Sequence, residues 1–300
     1  MAGPRVFLTG ASGNVGQAVL NELVARGYDV AALVRMLLPD AKGYRPIFGD
    51  LSAAQRVAGD VGAAQAVIHC ASPRSEARQA VIATDIEGTA QLLNAWQSGP
   101  FIHASSQTVY GIPTQPLTED SPISAGSWYD LGKICNEQQI LMAAQMRGGT
   151  GINLRLPLVF ATGPRRRDRQ FLPSVFDALR AGRPFLFGNE DVLETAGSVY
   201  IGQHDVGRAF VDSLSIQTSG AYNFAGGFTT WKALLGLLAR CSGRSVKYVF
   251  RSGAVPQGNE FRMPQSRSVY DCRRFTEATG FQPRQSLDEI VTEFARAERA

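Results

Sequence analysis

Tyr129 and Lys133, in the stretch SWYDLGK (127–133), stand four residues apart, the spacing that puts two side chains on one face of an α-helix. A free tyrosine loses its proton near pH 10, roughly three units too high for proton transfer at neutrality, and closing that gap takes roughly 4 kcal/mol of phenolate stabilisation. An ammonium beside the ring supplies charge of the right sign. The pair alone carries little, because such spacing recurs by chance on many helices. Weight comes from HASSQTVYG (103–111), upstream, where an apolar run ends in hydroxyls. Ser106 there can hydrogen-bond a reacting oxygen while Tyr129 moves the proton; the plainer alternative is that Ser105 and Ser106 cap a strand end.

TGASGNVG, near the N-terminus, sets Gly10, Gly13 and Gly16 at GxxGxxG spacing after the apolar run RVFLTG and before a helical pattern. Glycines let a pyrophosphate approach the backbone, and the first amides of a following helix face the anion. Ser12, Asn14 and Val15 fill the same turn. The second apolar run ends Leu33-Val34-Arg35, where the adenosine ribose of a bound dinucleotide would lie. A carboxylate there binds the 2′-hydroxyl of NAD, whereas a guanidinium pairs with the 2′-phosphate of NADP. Arg35 therefore makes NADP(H) the expected cofactor, and Asp50-Leu51, after the third run, offers either an adenine contact or a strand-end cap.

The elements that must position these residues follow from periodicity. Apolar runs at 5–10, 28–35, 45–50, 63–72, 100–106 and 151–160 predict six strands buried on both faces, and helical spacing follows the first and covers 80–97 and 129–147. Strands alternating with helices predict an α/β, doubly wound parallel sheet of the Rossmann type. After Gly163-Pro164 the rhythm breaks into shorter pieces. The expected organisation is a dinucleotide-binding domain over 1–162 plus about 199–226, interleaved with a smaller substrate-binding region over 163–198 and 227–300.

Composition limits the remaining classes. With 300 residues, 44% of them hydrophobic, the chain can bury a large core. The net charge of +4 is spread along the chain, so nucleic acid is not an expected partner. The tightest basic cluster, Arg165-Arg166-Arg167-Asp168-Arg169, reads as a solvated loop or an anion site. Four scattered cysteines give no CxxC spacing and hence no expected metal or disulfide. No run is long enough for a signal peptide or a membrane span, so a cytoplasmic protein is expected.

Taken with GDL (49–51), VIHCAS (67–72), DIEGTAQLL (85–93), LRLPLVF (154–160), HDVGRAF (204–210) and TGFQPRQSLDEIV (279–291), these motifs resemble the extended short-chain dehydrogenase/reductases, also called the NAD-dependent epimerase/dehydratase family. The resemblance runs nearly end to end. It implies that Ser106, Tyr129 and Lys133 form a catalytic triad and that Ala71, Ser72, Lys133, Pro157 and Val159 flank the cofactor. Departures narrow the chemistry. Gln107-Thr108 stands where sugar-nucleotide dehydratases carry an acidic pair and where combined epimerase-reductases carry a cysteine, so both reactions are disfavoured. Nucleotide-sugar 4-epimerases hold NAD through a carboxylate after the second strand, against Arg35. The region 193–206 lacks the arginine that many relatives use for a diphosphate, a role that the arginines at 165–169 would take. The implied activity is NADPH-dependent reduction of a carbonyl, best a nucleotide-linked 4-keto-deoxysugar, with Gln107, Trp128, Arg165 and Arg166 as candidate substrate contacts. The alternatives are a 4-epimerase, a reductase of a small or apolar ketone, and a non-catalytic NADP-sensing regulator. Relatives of this kind pair through the helices that correspond to 80–97 and 129–147, which implies a homodimer.

Overall fold

The computed structural model describes residues 3–38, 41–73, 77–112, 116–161 and 170–298. A parallel sheet of seven strands forms its centre. In chain order these are β1 (Arg5–Thr9), β2 (Asp29–Val34), β3 (Tyr44–Phe48), β4 (Ala66–His69), β5 (Pro100–Ser106), β6 (Thr150–Leu156) and, after three strands outside this sheet, β10 (Gly220–Asn223). Their spatial order is β10-β6-β5-β4-β1-β2-β3. The order reverses between β1 and β4, the switch point at which doubly wound sheets open a crevice beyond the strand ends.

Alternation along each strand divides the core. Val6 and Leu8 of β1 pack with Val19, Leu20 and Leu23 of α1 (Asn14–Ala25), while Phe7 faces Trp96, Phe101 and Ile140 on the other side. Burying each such side chain contributes roughly 1.5–3 kcal/mol relative to leaving it in water. The second face is covered by α2 (Ala58–Gly62), by a helix formed of α3 (Arg78–Ala80), a π-helical turn (Val81–Ile86) and α4 (Glu87–Ala95), and by α5 (Trp128–Arg147).

One expected element divides in two. The run 151–160 is not a single strand: β6 stops at Leu156, and β7 (Leu158–Phe160) pairs instead with β9 (Gly197–Gly202) of a second sheet. Pro157 lies between them, and a proline has no N–H to continue a ladder. The second sheet also contains β11 (Gly227–Thr230) and β14 (Arg267–Ser268), and a third joins β8 (Phe185–Phe187) to β12 (Tyr248–Phe250) and β13 (Phe261–Arg262). Helices α6 (Phe171–Arg180), α7 (Glu190–Thr195), α9 (Trp231–Ser242) and α11 (Leu287–Ala297) close a separate core around Phe176, Phe185, Trp231 and Phe294. Helices α8 (Gln203–Asp212) and α10 (Arg273–Thr279) return to the central sheet, where Phe210 and Phe275 join its core. We propose the division into a dinucleotide domain and a substrate-binding region on the strength of these separate cores.

Helix α5 is fixed at both ends and in its middle. Ser127 caps it, accepting from the Asp130 amide at 3.1 Å, and Gly148 ends it in the left-handed region at φ 71°. Arg147 donates to the carbonyls of Leu93 and Trp96 and so ties α5 to the end of α4. In the middle, buried Glu137 accepts both arms of Arg155 from β6, at 3.0 and 2.8 Å, and the Ser105 hydroxyl of β5 at 2.5 Å. Arg155 also donates to the Tyr110 hydroxyl at 2.7 Å, which in turn donates to Asn223 Oδ1 of β10. Burial opposes the guanidinium charge, but the bonds and charge of Glu137 together with Tyr110 outweigh it and hold Arg155 more firmly protonated than usual.

Two fully buried histidines lie between strands and helix. Thr89 donates to the Asp85 carbonyl, so it must accept from His69 Nε2 at 2.9 Å, and His69 Nδ1 then accepts from Thr9 at 2.7 Å. That chain of donors requires neutral imidazole. His103 stacks on His69 at 5.7 Å and is held by Asn153 at 3.1 Å. Burial, with the nearby Lys133 charge, pushes His69 down to about 3 and His103 well below its ordinary range.

Arg155→Met is expected to leave Glu137 charged and unpaired and to cost about 3–5 kcal/mol in urea unfolding, most of it recovered by adding Glu137→Met; equal losses in the single and double variants would refute the brace. The histidines also predict acid sensitivity. Unfolding raises their protonation to the ordinary value near 6.5, so the unfolded chain binds protons that the folded chain excludes, and stability falls as pH drops below about 6.5 towards 3. With both histidines titrating, the slope approaches about 2.7 kcal/mol per pH unit near pH 5, and urea midpoints that stay level between pH 6.5 and 4.5 would contradict it.

Candidate active site

The turn after β1 is shaped by what cannot fit in it. Gly10 adopts φ +76°, and a Cβ on Gly16 would lie 2.1 Å from the Gly10 carbonyl oxygen, so α1 can start this close to the turn only with glycine there. Gly13 is the N-cap of α1 and has no side chain to occupy the first-turn amides. Those amides remain available to an anion, with the positive end of the helix behind them.

Two cavities meet at this turn and share Gly13, Cys70 and Ser72. The first, about 310 Å³, extends over the ends of β1, β2 and β3 and is lined by Gly10, Ser12, Arg35, Asp50, Leu51 and Ala71, among others. The second, about 440 Å³, lies over β5 and β6 and is lined by Asn14, Val15, Gly16, Ser106, Tyr129, Lys133, Pro157 and Val159. Every residue expected to face a dinucleotide thus lines one of the two. An extended crevice with free amides at its centre fits a dinucleotide in shape and polarity.

In the first cavity Arg35 Nη1 stands 3.9 Å from Asp50 Oδ2, with both side chains about half exposed. Asp50 caps a short 3-10 turn, accepting from the Ser52 amide at 3.0 Å and hydroxyl at 2.8 Å. Those two bonds, backbone first, hold its carboxyl below the usual range against the cost of burial, with a lesser contribution from Arg35. The strand-end cap anticipated for Asp50 is therefore present, at the edge of the cavity.

In the second cavity Ser106 accepts from the Thr108 amide at 3.2 Å and shares a 3.0 Å hydrogen bond with the Thr108 hydroxyl. It caps the turn Gln107–Tyr110 and also lines the cavity. The helical register puts Lys133 Nζ 5.5 Å from the centre of the Tyr129 ring. Lys133 is 2% exposed, and its charge is matched by the fully buried carboxylate of Asp85, 3.9 Å away. Cys70, on the shared wall, is pushed up to about 12 by burial, against the pull of Lys133, and stays a neutral thiol. A polar oxygen placed in this cavity would face a hydroxyl, a phenol and an ammonium together.

The proposed substrate contacts are dispersed. Trp128 is 40% exposed, lies outside both cavities and carries the Arg78 guanidinium 5.6 Å from its ring centre. Gln107 lines neither cavity, and its Oε1 is buried without a partner. Arg165 and Arg166 lie outside the described residues. Thr108, Gln170 and Phe171 line the second cavity without having been anticipated, whereas Leu158 lies within the stretch Pro157 to Phe160 expected beside the nicotinamide. Asp85 was missed as well, being 48 positions from Lys133 with no motif to link them.

Comparison with known proteins agrees with this geometry. A family model described as the NAD dependent epimerase/dehydratase family matches residues 6–209. Among curated proteins, the chain is 30% identical over 176 residues to a decarboxylating sterol-4-alpha-carboxylate 3-dehydrogenase of Dictyostelium discoideum, covering 52% of this chain and 54% of the relative. It is 30% identical over 197 residues to a 4-hydroxy-2-methyl-3-oxo-4-farnesyl-3,4-dihydroquinoline-1-oxide ketoreductase of Stigmatella aurantiaca, covering 60% and 56%. These matches span little more than half the length of either relative. Among solved structures, a UDP-glucose-4-epimerase of Stenotrophomonas maltophila with bound NAD and formylated UDP-arabinopyranose superposes with a TM-score of 0.82 over 99% of this chain and 98% of that one, at 21% identity. The glycine turn, the crevice at the switch point and a family match over two thirds of the sequence make this chain a member of the NAD-dependent epimerase/dehydratase family.

Proposed function

We propose that the chain is an NADP(H)-dependent reductase of a ketone. The observation that carries this reading is the convergence of Ser106, Tyr129 and Lys133 on one cavity, which meets at the glycine turn a second cavity containing Arg35. A nicotinamide cofactor held there exchanges a hydride with a carbonyl carbon. The protein's own part is the proton and the positioning. Ser106 donates to the carbonyl oxygen and orients it, Tyr129 gives that oxygen its proton, and Lys133 favours the phenolate that remains. Arg35 would pair with a 2′-phosphate on the adenosine ribose, and Gly10 to Gly16 would supply the backbone cradle for the pyrophosphate.

The apolar part of the second cavity's lining points to a substrate with an apolar flank. Leu156, Leu158 and Phe171 supply it beside Pro157 and Val159, which would flank the cofactor, and Lys133 is the one basic side chain among the cavity's described residues. The names of the curated relatives, a sterol dehydrogenase and a farnesylated-quinoline ketoreductase, support this choice. A nucleotide-linked keto-sugar is the second reading, favoured by the UDP-sugar in the superposed epimerase. A cytoplasmic homodimer belongs to the same proposal, supported by four free cysteines and by exposed Met142 and Met146, four residues apart on α5.

Screening NADPH oxidation against 2-alkyl-3-oxo acids, simple ketones and nucleotide-linked 4-keto-deoxysugars separates the substrates. With the best of them, Tyr129→Phe is expected to lower kcat by about 100-fold or more without loss of NADPH affinity. Unchanged turnover would remove Tyr129 from the chemistry. Arg35→Ala is expected to weaken NADPH binding by about 10- to 100-fold and leave NADH binding alone; equal effects on both cofactors would defeat the 2′-phosphate role.

A further inference from the structure

Lys133 sits at 2% exposure in the wall of the cavity, and a buried ammonium needs a counter-charge. Asp85 provides it from the facing helix, fully buried, with Oδ1 3.9 Å from Nζ. That distance makes an ion pair without a direct hydrogen bond; the carboxylate is held in place by other donors, Oδ1 accepting from Asn136 at 3.1 Å and Oδ2 from Ser72 at 3.5 Å. Lys133 therefore has its charge compensated while its N–H donors stay free to face the cavity.

Two features bring the carboxylate this close. Asp85 lies in the π-helical turn Val81–Ile86, an interruption of regular α-helix that redirects side chains. On the facing helix, Gly132 leaves the gap: a Cβ there would lie 2.9 Å from Asp85 Oδ2 and 2.8 Å from Val81 Cγ1. A helix-interior glycine costs roughly 1 kcal/mol relative to alanine, so its presence one residue before Lys133 marks a required close approach.

The other charged and titratable groups around the pair leave Asp85 to act alone. His69 on β4, Cys70 just after it and His103 on β5 are neutral near pH 7. Glu137, one turn along α5, is neutralised by Arg155 of β6. Asp130 is held back on the helix start by Ser127 and Gly126, and Arg78 lies over Trp128. Asp85 is thus the one unpaired counter-ion that the Lys133 ammonium meets among the described residues.

We propose that Asp85 is a positioning residue for proton transfer: its fixed carboxylate offsets the charge of Lys133 and so sets the pH at which Tyr129 releases its proton. The inference builds on the assignment of Tyr129 as proton donor in the proposed reductase. With the carboxylate in place, the phenol meets an ion pair; without it, a bare ammonium.

The test needs neither substrate nor cofactor. Protein labelled with 13Cζ-tyrosine is titrated by NMR, the Tyr129 signal being identified by its loss in Tyr129→Phe. Asp85→Asn keeps the shape and the Asn136 contact, and it is expected to move the Tyr129 midpoint down by about one pH unit. Asp85→Glu is expected to return it towards the parent value. Gly132→Ala, which keeps the charge but forces it away from Lys133, is expected to move the midpoint down by a smaller amount. It carries the test if melting curves show that Asp85→Asn does not fold. An unchanged or raised midpoint in whichever variant folds would overturn the proposal. Because the readout is independent of turnover, a failed ketone screen with a shifted midpoint refutes the reductase reading alone, and an active reductase with an unshifted midpoint refutes the role of Asp85 alone.

Discussion

The buried pair between Glu137 and Arg155 decides where the chemistry can sit. Tyr129, Lys133 and Glu137 succeed one another at intervals of four along α5, so whatever anchors the third sets the rotation of the helix for the other two. Glu137 is anchored by Arg155 from β6 and Ser105 from β5, and Arg155 reaches onward through Tyr110 to β10. Such a pair is costly to bury and weak evidence for stability in itself. Its value here is geometric: a bidentate guanidinium admits one orientation of the carboxylate, and Ser105 sits next to Ser106, so one contact fixes helix and strand end together.

That dependence explains which parts of the site were legible in the sequence. The turn 10–16 was, because backbone without Cβ leaves glycine as its mark, and a Cβ on Gly16 would strike the Gly10 carbonyl. Tyr129 and Lys133 were, because helical spacing encodes a shared face. The doubly wound sheet was, because strands buried on both faces read as continuous apolar runs. The same signal failed at 151–160, where hydropathy stays high across Pro157 while the hydrogen-bond ladder passes from one sheet to another. Hydropathy reports burial and is blind to the partner.

The misplaced substrate residues share a local cause. Trp128 precedes Tyr129, and one residue along a helix is a rotation of about 100°, enough to carry the indole out of the cavity and under Arg78. Gln107 follows Ser106 into a 3-10 turn, where the next residue to line the cavity is Thr108. Adjacency in sequence is a poor guide wherever the chain turns. Asp85 fails for the opposite reason: the contact with Lys133 depends on a π-turn and on a glycine in another helix, features of two helices at once that no single stretch displays.

Charge compensation recurs at both ends of the crevice, with different burial. Around Lys133 the pair is almost wholly buried in the cavity wall, so a neighbouring carboxylate acts at lower dielectric than at the surface and its position matters strongly. Around Arg35 the pair with Asp50 is half exposed at 3.9 Å, where solvent screens it and the interaction is worth little. Arg35 can therefore leave Asp50 for an incoming anion at small cost, whereas parting Lys133 from Asp85 would leave two buried charges uncompensated. The exposed end is suited to exchange a ligand and the buried end to hold a fixed field, the division of labour that a crevice must have if it binds a cofactor at one end and moves a proton at the other.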